Sequence, residues 1–290
     1  MSSLPALTGA AAERAERTVD VPASRPGLRP RRPVWAVVVL LLAAVYFILP
    51  LVASAGFAFS TGKAFSLQPL VDALGDPGFV SAILLSVGIA LATTIVAIVI
   101  VAPASYLVVL RFQRLRTLTD FTTILPFVIP PIILTLGLRE VYGINSPFGI
   151  NLIGSPLLLV GGYVVLGLPF VFRAIDNAMR AVDVRTLTEA SESLGAGGVL
   201  TFVRVIVPNV RLGILAAALL SFTTIMGEFT LASLLGYVTF PVYLNGIYAS
   251  QSHQAVALVI VSFLITWASV LGLAWVGRRT GGTRSTTTIA

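Results

Sequence analysis

Six apolar runs separated by short polar segments constrain this chain more than any other feature: Val34–Phe59, Phe79–Val109, Leu118–Leu138, Ser155–Phe172, Val207–Leu235 and Ala255–Val276. A helix needs about 20 apolar residues, within a range of roughly 17–25, to cross the hydrocarbon core of a bilayer. Each run meets that length, and the second and fifth exceed it enough to tilt or to extend beyond the hydrocarbon. A secretory signal has an apolar region of only about 7–15 residues, so the first run reads as a retained span. Pro126, Pro130 and Pro131 fall in the third run and predict a kinked or broken helix there. With 57% hydrophobic and 11% charged residues, the chain lacks the charge that a soluble surface of this size needs. The expected fold is an all-α integral membrane protein with six transmembrane helices, occupying residues 34–279.

Charge orients those spans. Residues 1–33 hold six arginines among Ala, Pro and Ser, without the periodicity that would let them bury a face, and read as a disordered tail; residues 280–290 form a second short tail. Six spans put both termini on one side. Three arginines (Arg111, Arg114, Arg116) lie in the second loop, five (Arg173, Arg180, Arg185, Arg204, Arg211) in or beside the fourth, and three in the C-terminal region. Seventeen of the 19 basic residues therefore share one face, and Lys63 and Arg139 lie on the other. Under the positive-inside rule the basic face is cytoplasmic, which places both termini there. The net charge of +7 is read as this orientation signal and not as a nucleic-acid surface.

Between the fourth and fifth runs lies a polar, helix-competent stretch, Thr186–Gly198, inside the loop 183–208. Thr186 and Glu189 have the spacing of a capping box, and Gly195, Gly197 and Gly198 offer stop positions. The expectation is a cytoplasmic helix of about two turns presenting Leu187, Ala190 and Leu194 on one side. The sequence Glu189-Ala190-Ser191, then Gly195, then Val205-Ile206-Val207-Pro208 resembles the EAA loop of binding-protein-dependent bacterial ABC importer permeases. The family pattern has Ala where Ser191 stands, and Ile and Leu where Val205 and Val207 stand.

That resemblance implies a type I permease of the spermidine/putrescine-like branch in the bacterial inner membrane, and it implies a coupling helix that docks into a groove on a cytoplasmic ATPase. Thr186, Leu187, Glu189, Ala190, Ser191, Leu194, Gly195 and Pro208 would form the docking element, with Glu189 as the polar contact; the plainer reading is that Glu189 only caps its own helix. Two ATPase subunits, a second permease subunit (identical or not), an extracytoplasmic substrate-binding protein and membrane lipid are the implied partners. No Gly-x-x-x-x-Gly-Lys-Ser/Thr loop occurs and the only lysine is Lys63, so the energy source is expected on another polypeptide. No catalytic, cofactor or metal site is expected: cysteine is absent and His253 is the single histidine.

Gly227-Glu228-Phe229-Thr230 is the second candidate site. Glu228 is the one acidic residue deep within an apolar run, where a carboxylate costs at least about 2.5–3.5 kcal/mol. It reads either as a group of the substrate pathway or gate, attractive to a cation, or as a carboxyl bonded across helices to Thr223, Thr224 or Thr230. The uncharged aromatic loop Gly236–Gln254 reads as a contact for an external binding protein or as plain surface. Gly88, Gly161, Gly162 and Gly213 are expected at close helix contacts. A polyamine is the leading cargo, with ferric iron, phosphonate, thiamine or sulfate/molybdate as alternatives. An ion-coupled secondary transporter is the competing class, and it would show more intramembrane ionisable groups and an inverted repeat.

Overall fold

A computed structural model describes residues 34–61, 64–144 and 146–281. The tail 1–33, Lys63 and residues 282–290 lie outside the described residues, whereas Thr280 and Gly281 continue the last helix. The chain divides into two units, residues 1–51 and 52–290. Helix α1 (Val34–Ala58) begins in the first and ends in the second. The second unit continues with a two-residue hairpin ladder, β1 (Ser60–Thr61) against β2 (Ala64–Phe65), and then α2 (Gln68–Leu74) and α3 (Pro77–Leu110). A 3-10 turn (Gln113–Leu115) leads to α4 (Arg116–Val128) and α5 (Pro131–Tyr142). After α6 (Pro156–Ala181) come α7 (Val184–Ser193), α8 (Gly198–Thr201), a π turn (Phe202–Ile206) and α9 (Val207–Asn209). The chain finishes with α10 (Arg211–Met226), α11 (Thr230–Leu235), α12 (Phe240–Tyr248) and α13 (Ser252–Gly281).

The helices follow the apolar runs, but not all as straight rods. Among the described residues, α1 from Trp35, α3 and α6 are long and apolar enough to cross a membrane. The third run is broken, with α4 and α5 bent by 101°. Pro130 and Pro131 lack N–H donors, so the ladder stops at Val128 and restarts at Pro131. The fifth run is not one helix either. The segment Gly198–Asn209 meets α10 at 76°, and α10 stops at Met226 before α11 begins. In the sixth run the apolar stretch Ser252–Ala268 leads α13.

Helices α3, α6 and α10 pack on one another and form the centre of this unit. The middle of the buried side of α3 is built largely from small residues, Ala82, Ser86, Ala90, Thr93 and Ala97, with Ile89 among them, while Leu84, Leu91, Ile95 and Val99 face outward. Lipid tails are as apolar as leucine, so close backbone approach and dispersion, more than burial of large side chains, hold such helices together. Gly213 on α10 is the tightest approach: a Cβ there would come 2.1 Å from Ala178 Cβ on α6. Gly162 is similarly enclosed by Leu231 and Leu138. Gly88 and Gly161, expected at the same kind of contact, have nothing within 4 Å of a built Cβ and are exposed. Both sit on the side of their helix turned away from the core, which apolarity alone does not reveal.

The start of α3 is tied to α12. Asp76 caps α3 by accepting from Gly78 N at 2.7 Å, and its second oxygen accepts from the Tyr243 hydroxyl at 2.7 Å. The Tyr243 bond first, and the Gly78 N–H second, hold the Asp76 carboxyl below the usual carboxylate range. A group whose folded pKa is depressed stabilises the fold above its unfolded pKa, about 3.9, and loses that contribution as pH falls through the lower folded value. The unfolding midpoint of the wild type should therefore drop on acidification below about pH 4. In Asp76→Asn the midpoint should be lower at neutral pH and flatter across that acidic range. Parallel pH profiles for the two proteins would remove Asp76 as the responsible group.

Candidate functional site

The loop between α6 and α10 is built around α7. Its N-cap is Asp183, whose Oδ1 accepts from Thr186 N at 3.1 Å and whose Oδ2 accepts from Thr186 Oγ1 at 2.7 Å. The Thr186 hydroxyl bond, followed by the backbone bond, lowers the Asp183 pKa. The expected Thr186–Glu189 capping box is thus displaced: the helix starts three residues earlier, because Asp183 already supplies the preferred cap. Glu189 is exposed, and its carboxylate takes no hydrogen bond among the described residues. It does not cap its own helix.

Which face of α7 is buried also differs from expectation. Val184, Thr188 and Ser191 face inward, and Leu187 packs against the same core. Ala190 is exposed and Leu194 is 89% exposed. The set Leu187, Ala190 and Leu194 is therefore divided between the two sides. The register follows from polar satisfaction. Thr188 Oγ1 donates to Val184 O at 2.7 Å and lies 3.2 Å from the Tyr106 hydroxyl of α3, and Ser191 Oγ lies 3.0 Å from Thr201 Oγ1 of α8. These four side chains are buried, where an unpaired hydroxyl costs about 1–3 kcal/mol. Two hydroxyl pairs thus fix α7 to α3 on one side and to α8 on the other. Asp183, Thr188, Tyr106 and Thr201 were not among the residues singled out from the sequence. The Val184–Thr188 spacing of one helical turn was the available signal for the inward face.

At the other end α7 closes in a Schellman motif. Gly195 has φ +86, its N–H donates to Glu192 O at 2.9 Å, and Ala196 N donates to Ser191 O at 3.1 Å. Of the three expected stop glycines only Gly195 takes the left-handed conformation; Gly197 and Gly198 begin α8. The π turn precedes Pro208, with Val207 N bonded to Phe202 O. A proline ring clashes with the carbonyl four residues before it, and the wider turn relieves that clash. Asn209 Nδ2 donates to Val205 O at 2.7 Å. The chain then turns into α10.

The Gly227–Thr230 element lies at the break between α10 and α11. Glu228 Oε1 accepts from Thr230 N at 2.8 Å and Leu231 N at 3.1 Å, and Oε2 accepts from Leu231 N at 3.0 Å. The carboxylate thus caps the N-terminus of α11, where exposed N–H groups and the helix dipole favour negative charge. Arg139 Nη1 donates to Leu234 O at 3.3 Å at the opposite end. The threonine bonds expected across helices do not form, although the Tyr163 hydroxyl of α6 donates to Glu228 O at 3.5 Å. Thr223 and Thr224 return their hydroxyls to carbonyls of their own helix, at Leu219 and Leu220, and Thr230 meets Glu228 through its backbone. Phe229 is 39% exposed beside the break. Non-helical backbone at membrane depth must have its polar groups satisfied within the protein, and Glu228 does this. Glu228→Ala should lower stability by about 1–3 kcal/mol, and Glu228→Gln, which keeps one acceptor oxygen, by less. Thermal unfolding of the two variants in detergent measures the order, and a Gln variant as weak as Ala would contradict the capping role.

Residues 95–281 match the family model described as binding-protein-dependent transport system inner membrane component. The chain is 32% identical over 164 residues to the molybdenum transport system permease protein of Azotobacter vinelandii, covering 54% of this chain and 72% of that one. It is 29% identical over 247 residues to a sulfate transport system permease protein of Synechocystis, covering 80% and 89%. It is 28% identical over 175 residues to the spermidine/putrescine transport system permease protein of Escherichia coli, covering 56% and 62%. With apolar helices long enough to cross a membrane and the α7 loop packed against their core, this chain belongs to the inner membrane component family of binding-protein-dependent transport systems, as a permease subunit.

Proposed function

We propose that the chain is the moving subunit of an ABC importer in which the outer face of α7 receives the stroke of a separate ATPase. Permease subunits of this family are not enzymes; the ATPase activity lies in partner subunits, and a substrate-binding protein delivers the solute. The observation that carries the docking role is the division of α7. Glu189, Ala190 and Leu194 are exposed, while Thr188 and Ser191 hold the opposite side through buried hydroxyl pairs. A helix held in this way passes on a displacement that a free loop would absorb, and domain rearrangement then exchanges inward- and outward-facing states.

In the full assembly two ATPase subunits would serve two permease subunits, with the α7 side and both termini in the cytoplasm. The uncharged segment around α12 would face the binding protein. Cysteine is absent from the natural sequence, so Ala190→Cys is a single-site probe. In membranes holding the complete transporter it should cross-link to a cysteine placed in the ATPase groove, in a nucleotide-dependent manner. No cross-link from position 190, 189 or 194 would refute the docking face.

For the cargo, the motive for a cation weakens once Glu228 is engaged in capping α11. Similarity to the sulfate permease runs through 80% of this chain, against 56% for the polyamine permease. A tetrahedral oxyanion is accordingly the first cargo to test, and a polyamine the second. Ligand binding by the partner binding protein decides between them: retention of sulfate or molybdate supports the first, and retention of spermidine alone replaces it.

A further inference from the structure

The turn joining α3 to α4 forms a cleft of about 450 Å³ with the first turn of α7, and three arginines line it: Arg111, Arg114 and Arg185. None of the three forms an ion pair among the described residues. The acids around α7 leave these charges unpaired: Asp183 is engaged with Thr186, and Glu192, which lines an adjoining cleft with Arg111, forms no ion pair among the described residues. Arg116 is paired with Asp120 on the next turn and stays out of the cleft. Concentrated positive charge of this kind repels itself unless an anion neutralises it.

The setting narrows the anion. Phe112 and Leu115, about half exposed, alternate with the arginines, and the turn links α3, which is long and apolar enough to cross a membrane, to the first half of the bent apolar pair α4–α5. Guanidinium groups present planar donor pairs that match phosphate oxygens. Basic pockets beside membrane helices attract anionic headgroups. The aromatic and leucine side chains suit the glycerol and upper acyl region of the same molecule. We propose that this cleft binds the phosphate-bearing headgroup of an anionic phospholipid. Because Arg185 belongs to α7, the bound headgroup links the α3–α4 turn electrostatically to the helix that carries Glu189.

The test uses the full-length purified protein with phosphatidylglycerol and phosphatidylcholine, read by native mass spectrometry. The protein should retain phosphatidylglycerol in preference. Arg111→Gln, Arg114→Gln and Arg185→Gln should each weaken that retention by roughly fivefold, and the triple variant by about a hundredfold. Arg116→Gln should not change it. The corresponding lysine variants keep the charge and should restore most of the preference, which separates binding from misfolding. Equal retention of the two lipids, or a triple variant that still prefers phosphatidylglycerol, overturns the proposal. Displacement of the lipid by millimolar inorganic phosphate would reassign the cleft to a soluble anion. Displacement by the ATPase subunit would reassign it to an acidic protein surface.

Discussion

Replacing Gly213 with leucine is expected to force α6 and α10 apart and to cost most of the stability of the helical core. A Cβ at this position would lie 2.1 Å from Ala178 Cβ and 3.1 Å from Ala174 O. Neither neighbour is the end of a flexible side chain, so relief requires the helices to separate. Overpacking costs about 1–3 kcal/mol where side chains can adjust, and a backbone contact places this site at or above the upper end. Separation would also expose the seam lined by Ile175, Met179, Val210 and Ala217. Even Gly213→Ala should lower the unfolding midpoint in detergent, and leucine should leave little monodisperse protein. Gly88→Ala supplies the contrast. Nothing lies within 4 Å of its built Cβ, and alanine favours a helix over glycine by about 0.8–1.0 kcal/mol, so that variant should be neutral or stabilised. An unchanged midpoint for Gly213→Ala would sink the close-packing account.

The contrast between these glycines shows what the sequence could reveal. Length and apolarity predict that a helix forms, because backbone groups in lipid must pair within their own segment. They carry no information about which face meets a neighbour, so Gly88 and Gly213 look alike until the packing is known. The same blindness hid the breaks at Val210 and at Gly227–Phe229, since a hydropathy run does not record a change of axis. Proline is the exception: Pro130 and Pro131 announced the 101° bend, because a missing N–H is a local fact. Part of the loop between α6 and α10 was legible for a related reason. Its left-handed stop is local chemistry, readable at Gly195 without knowledge of the fold, whereas the N-cap was misplaced by three residues because Asp183 takes that role ahead of Thr186. The hydroxyl pairs were not readable. Tyr106 and Thr188 are 82 residues apart in sequence, and only the packing of α3 against α7 joins them. Ser191, a departure from the family pattern, looks conservative as a residue type but takes part in a buried bond to Thr201 that an alanine could not make.

Gly195 provides the second large effect, and its direction depends on backbone conformation more than on bulk. The residue has φ +86 and its built Cβ meets nothing within 4 Å. A side chain therefore has room, and the penalty is the left-handed conformation itself, about 1–2 kcal/mol for an L-residue. That penalty is smaller for Asn and Asp, which visit this region readily, and larger for a β-branched residue. Gly195→Asn should then retain coupled transport, Gly195→Ala should lose part of it, and Gly195→Val should lose nearly all of it with the protein still inserted. The Schellman bonds from Gly195 N to Glu192 O and from Ala196 N to Ser191 O transmit the effect. If the turn opens, Ser191 leaves Thr201 and α7 loses one of its two attachments. Transport per ATP hydrolysed, measured in proteoliposomes with the ATPase and binding protein, should fall in the order Asn, Ala, Val. Hydrolysis itself should persist in all three, because the ATP site is on another subunit. If docking instead required an empty surface at this position, asparagine would be as damaging as valine, and the conformational role of Gly195 would have to be abandoned.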